Sequence, residues 1–146
     1  PMLRLLEGQI PFIDASTKMP PEFDDFQAHL ESARARILSM MADFDEKDSP
    51  PYSEETLAKA ISFLKKLAYS IWKLNQTVIA LPKILPGPEG SVDVCWKTPK
   101  FQLLINFPKD PNEPASYYGD DHGSNTTEGL VDGIKLAQLF LFWLLD

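Results

Sequence analysis

An α+β fold is predicted for this 146-residue chain: a helical pair, then a three-stranded antiparallel β-meander, then a C-terminal helix. Three observations predict it. Apolar residues recur at three and four over residues 23–46 and again over 53–81, the spacing of one buried helix face. From Gly90 to Phe107 the apolar positions switch to strict alternation, the period of a pleated strand. From about Thr126 the chain becomes apolar again behind a run of hydroxyl side chains that suits a helix start. All of this fits one domain, with a helical half at about 23–81 and the sheet plus terminal helix at about 90–146.

Residues 1–22 include Pro1, Pro11, Pro20 and Pro21. That density prevents a continuous helix, and a short strand or extended arm is expected. In the first helix Phe26, Leu30, Ala33, Ile37, Met40, Met41 and Phe44 form one stripe, with Asp24 and Asp25 at the end where the dipole favours negative charge. Ser53 caps the second helix and Glu54 and Glu55 fill its first turn. Its stripe runs Leu57, Ile61, Leu64, Leu67, Ala68, Ile71, Leu74 and Val78, with Phe63 and Trp72 beside it. Residues 81–90, with Pro82, Pro86 and Pro88, read as a rigid connector.

Val92, Val94 and Trp96 alternate with polar residues. After the Thr98-Pro99-Lys100 turn, Phe101, Leu103, Ile105 and Phe107 alternate with Gln102, Leu104 and Asn106. Ala115 to Tyr118 reads as the third strand and GDDHGSNTTEG as a polar loop. Thr126 or Thr127 would cap a final helix reaching Leu145, amphipathic at first and apolar on every face in LAQLFLFWLL. A helix apolar all round must be buried on all sides, more than one small sheet offers.

The chain has 21 acidic and 14 basic residues, net charge −7. Such a surface repels phosphate backbones, so a basic protein is the expected partner and nucleic acid is not. One cysteine, Cys95, allows no intramolecular disulfide and suits a reducing compartment. The longest apolar run, Leu139 to Leu145, is seven residues, short of the ~20 that span a bilayer. A cytoplasmic protein, without membrane contact, is expected.

No glycine-rich phosphate loop, dinucleotide fingerprint, Gly-x-Ser-x-Gly elbow or Cys-x-x-Cys pair occurs. Asp120-Asp121-His122 carries the residue types of a cation site or proton shuttle. Adjacent residues rarely converge on one point, however, and a solvated turn between Gly119 and Gly123 is the better reading. Cys95 as nucleophile would need a histidine brought close, and His122 is the candidate; a small buried residue is the simpler account. No catalytic residue, cofactor or metal is expected. Phe140, Phe142 and Trp143 carry more apolar surface than one domain needs, and with Tyr118 they are the candidate partner-binding residues. Trp72, Trp96 and Tyr117 would line a ligand pocket between sheet and helices in an alternative reading.

The order of a proline connector, then Gly90-Ser91-Val92-Asp93-Val94-x-Trp96, a second apolar strand, and Tyr117-Tyr118-Gly119 resembles a family of small bacterial proteins. Many of its members are uncharacterised and some are labelled as antitoxin components of toxin–antitoxin pairs. The resemblance covers roughly residues 50–120. At position 95 a cysteine stands where an acidic or other polar residue is usual. The resemblance implies no catalytic residues. The acidic charge, the lack of a catalytic constellation and the apolar terminal helix lead to the expectation of a non-enzymatic, cytoplasmic protein-interaction module, with self-association through that helix as a further expectation; the resemblance implies an antitoxin-type role with a basic toxin as partner. A small-molecule binding module is the alternative.

Overall fold

Residues 21–42 and 53–131 are described by the structure, a computed structural model. A 3-10 turn, Pro21–Phe23, leads into helix α1, Asp24–Ala42. Helix α2, Glu54–Asn75, opens on Ser53, whose hydroxyl accepts the Thr56 N–H at 3.2 Å. It closes at Gln76, which turns left-handed at φ 56° and donates its own N–H to Trp72 O. Phe26, Leu30, Ala33 and Ile37 of α1 and Leu57, Ile61, Leu64, Ala68 and Ile71 of α2 are buried, as one stripe per helix requires. Met40, placed on the first stripe by its spacing, is exposed. Glu31 ties the helices at the surface, 3.7 Å from Lys65 and 4.0 Å from Arg34.

The sheet has five antiparallel strands in sequence order: β1 Lys83–Pro86, β2 Val92–Lys97, β3 Gln102–Phe107, β4 Ser116–Asp120 and β5 Thr126–Leu130. Its inner face carries Ile84, Val92, Val94, Trp96, Leu103, Ile105, Phe107 and Tyr117, all buried in one core with the helix stripes. Each such side chain contributes about 1.5–3 kcal/mol on leaving water.

The expected three-stranded meander followed by a C-terminal helix is therefore corrected at two places. Lys83–Pro86 is a strand and not a connector: Ile84 pairs with Val94 and fills the core, and Pro86 is tolerated because the strand lies at the sheet edge. Thr126–Leu130 is a strand and not the first turn of a helix. Its two β-branched threonines suit a strand, and its pairing with β4 sets Gly129 opposite Tyr117. A Cβ at Gly129 would lie 3.2–3.4 Å from the Tyr117 ring and hydroxyl, so the glycine makes room for the aromatic. The N-terminal arm and the part of the expected terminal helix beyond Val131 lie outside the described residues, as do Phe140, Phe142 and Trp143.

Two further devices fix the sheet. The β1 edge is tied to α1, because Arg36 donates to Ile84 O at 2.7 Å and His29 Nε2 to Pro82 O at 2.7 Å. A carbonyl only accepts, so His29 carries its proton on Nε2. The proline-rich β3–β4 loop is pinned by α2: the buried Thr56 hydroxyl lies 2.9 and 2.7 Å from the carbonyls of Pro108 and Lys109, and Lys59 Nζ donates to those of Pro111 and Glu113. Among the described residues no helix is long and apolar enough to cross a membrane.

Candidate functional site on the outer sheet face

Alternation that buries one face presents the other, and here the second face is not uniformly polar. Registered pairs run across it in rows. One row is Lys83, Cys95, Leu104, Tyr118 and Glu128; the next is Leu85, Asp93, Asn106, Ser116 and Leu130. Leu104 and Tyr118 are direct cross-strand partners, and Leu130 lies diagonal to Tyr118. Leu104 is 37% exposed, Tyr118 39% and Leu130 64%. Strands β3, β4 and β5 contain no Lys or Arg, while Asp120 and Glu128 stand on them.

A shallow concavity of about 590 Å³ lies on this patch, lined by Leu104, Tyr118 and Leu130 together with Asn106, Ser116, Tyr117, Glu128 and Gly129. A second, of about 660 Å³, adjoins it through Asn106 and extends to Glu89, Ser91, Asp110 and Glu113. Asn106 is fixed between them. Its amide donates to Ser91 Oγ at 2.9 Å and to Asp93 Oδ1 at 2.7 Å; a carboxylate accepts only, which orients the amide and leaves its carbonyl oxygen as the group presented. Ser91 passes its own proton to Pro88 O at 2.7 Å. The turn beneath is tight: Glu89 and Gly90 both have left-handed backbone, φ 55° and 81°.

At the far end of β4 the acid–histidine cluster forms the hairpin turn to β5. Asp121 accepts the N–H groups of Gly123 and Asn125 and the Asn125 side-chain amide. Asp120 turns the other way. It accepts from Gln102 at 2.8 Å and from the His122 N–H at 3.0 Å, and it takes the Tyr118 hydroxyl. These hydrogen bonds, the Gln102 amide foremost, hold the Asp120 carboxyl below its ordinary value. The Asn125 amide foremost does the same for Asp121. His122, left-handed at φ 63°, gives Nε2–H to Thr98 O at 2.7 Å and leaves Nδ1 3.8 Å from Asp120. The two carboxylates thus serve separate hydrogen-bond sets, and no group of three acidic, histidine or cysteine side chains among the described residues converges as metal ligands do.

Cys95 stands on the outer face, half-buried, and burial foremost pushes its thiol above the ordinary value. The imidazole of His122 is directed to Thr98 and Asp120 instead. Tyr118 is held above the ordinary phenol value by its hydrogen bond to Asp120, then by desolvation and by the charges of Asp120 and Glu128. It remains protonated at neutral pH as a donor.

The three aromatics expected around a ligand pocket all take part in packing, and Tyr117 also lines the concavity of about 590 Å³. Trp96 is buried and donates its indole N–H to Ala80 O at 2.8 Å. Trp72 meets Phe23 edge to face with centroids 5.7 Å apart. Tyr117 lies over Gly129. Neither tryptophan lines the two concavities above. Sequence reasoning singled out Tyr118 but missed Leu104, Asn106, Glu128 and Leu130. The signals for Leu104 and Asn106 were present, since both lie on the outward positions of a predicted strand and Leu104 is apolar there; Glu128 and Leu130 depend on recognising β5. Comparison with protein-family models, with curated proteins and with solved structures gives no match.

Proposed function

We propose that the protein is a non-enzymatic protein-interaction module that presents the outer face of its sheet to a basic partner. The observation that carries this reading is the apolar group Leu104, Tyr118 and Leu130, exposed on one sheet face beside Glu128 and with no basic residue on its three strands. Exposed apolar residues clustered in this way mark interaction surfaces more often than scattered ones do. A net charge of −7 steers a basic partner toward the protein at long range, and the tyrosine with its two leucines supplies the anchor that surface charges alone do not. The antitoxin-type role implied by the sequence resemblance is one specific form of this reading, with the basic partner as the toxin.

The test is paired affinity capture from the native cell, using tagged wild-type protein and the Leu104→Asp/Leu130→Asp variant, at low and moderate salt, with matched circular dichroism spectra. The expected result is a stoichiometric basic protein held by the wild type, released as salt rises, and lost with the variant. Equal capture by both baits would remove the outer face from the function.

A further inference from the structure

We infer that the two linked concavities form one groove that takes a cationic, extended segment of the partner, its apolar end against Leu104, Tyr118 and Leu130 and its basic end against Glu89, Asp110 and Glu113. This rests on the interaction reading above and adds the place, polarity and chemistry of the bound segment.

The groove has two unlike ends joined at Asn106. One end is apolar, with Glu128 at its border. The other holds three carboxylates, Glu89, Asp110 and Glu113, against one amine, Lys109. Between them Asn106 has committed both amide hydrogens to Ser91 and Asp93 and offers a carbonyl oxygen. Acceptors therefore predominate along the groove, and it calls for a donor-rich occupant: lysine, arginine and backbone N–H groups. Crossing from β5 to the turn before β2 is three strand spacings of ~4.8 Å, about 14 Å, a length that roughly six extended residues cover with side chains to spare.

Charge decides between occupants. A second copy would set these carboxylates against their own kind on a chain of net charge −7, and like charges brought together across an interface are penalised. A nucleic-acid backbone is repelled by the same groups. A basic polypeptide segment with an apolar end satisfies both halves. The walls are rigid enough to select it: the β3–β4 loop that carries Asp110 and Glu113 is held to α2 by Thr56 and Lys59, and Asp110 itself accepts the Asn112 N–H at 2.9 Å.

The test uses the full chain, isotopically labelled for amide NMR, with a fluorescent peptide of roughly eight residues, long enough to fill the groove, bearing Trp-Leu at one end and lysines at the other. A matched peptide carries glutamates in place of the lysines, and spermidine serves as a charge-only competitor. The expected result is saturable binding of the lysine peptide alone, with shifts confined to residues 88–91, 104–110, 113–118 and 128–130. Affinity should fall about tenfold in Glu89→Gln/Asp110→Asn/Glu113→Gln, the sum of three surface charge contacts. It should also fall in Leu130→Ser, which leaves the charges in place. Shifts elsewhere, equal binding of the glutamate peptide, or equally effective competition by spermidine would overturn the inference. A dimer in sedimentation velocity that Leu130→Ser dissociates would also overturn it, with a second copy as the occupant. If the peptide fails while native capture remains sensitive to Leu104→Asp/Leu130→Asp, the groove assignment falls and the interaction function stands.

Discussion

Inner and outer faces of the sheet are built from the same five strands and set by the same alternation, yet they answer to different demands. On the inner face β1 to β4 contribute buried side chains to one core with the helix stripes, and the glycine of β5 makes room for the Tyr117 ring. On the outer face Asn106, Asp120 and Gln102 form hydrogen bonds among exposed leucines and a tyrosine. Packing accounts for the buried side chains of the first face. It does not account in the same way for Leu104 and Leu130, which are 37% and 64% exposed on the opposite face. A residue whose identity stability does not require is a candidate for function, and substitutions ordered by their cost to folding separate the two faces.

The largest effect belongs to Trp96. Trp96→Ala removes a buried indole and strands the Ala80 carbonyl; about 3–5 kcal/mol should be lost, read as a fall in the urea midpoint at unchanged slope. Gly129→Val is next. It drives two methyl groups into the Tyr117 ring, whose atoms already lie 3.2–3.4 Å from an added Cβ, and overpacking of this kind costs about 1–3 kcal/mol. Gly129→Val/Tyr117→Ala should fall short of the summed single losses in a double-mutant cycle, because the smaller residue vacates the contested space. Strict additivity would mean that the pair does not share it.

Thr56→Val tests the loop behind the groove. It keeps the shape but deprives the Pro108 and Lys109 carbonyls of their donor, with an expected loss of about 1–3 kcal/mol. Amide exchange should rise across residues 108–115 before it rises in β2.

How legible these faces are in the sequence depends on the element. Val92 to Phe107 is readable because alternation and a Thr-Pro-Lys turn agree. β1 is masked by three prolines and by Leu85, an apolar residue beside Ile84 that breaks the alternation; edge position removes the objection to Pro86. β5 is misread because a helix start and a strand both begin with threonine, and the choice is made by pairing with β4 rather than locally. The candidate site inherits that error. Without β5, Tyr118 has no Glu128 beside it and no Leu130 diagonal to it, and the outer face looks like an ordinary solvated surface. Asp120-Asp121-His122 shows the converse case: residues that look chemical in the sequence are held by the needs of a turn.

Acid titration examines that turn. The folded Asp120 carboxyl titrates below its ordinary value of 3.8, so its contribution to stability is present above that value and is lost as pH falls through the lower, folded-state one. Gln102→Leu removes the foremost cause and returns the carboxyl toward its ordinary value. Between about pH 6 and about pH 3, in the range where free aspartate titrates, the variant's urea midpoint should therefore fall less steeply than that of the wild type. Parallel curves would assign the acid limb to other groups.

The smallest expected effect bears hardest on the comparison. Leu130 is 64% exposed, and a surface substitution free of caps, cavities and buried partners shifts stability by no more than about 0.5 kcal/mol. Leu130→Ser should accordingly leave the thermal midpoint and urea curve unchanged while weakening partner capture. That dissociation of stability from binding is what an interaction surface predicts and a core position forbids. A loss comparable to that of Gly129→Val, one residue away on the same strand but facing inward, would place another part of the folded protein over Leu130. The two faces would then differ in composition but not in purpose.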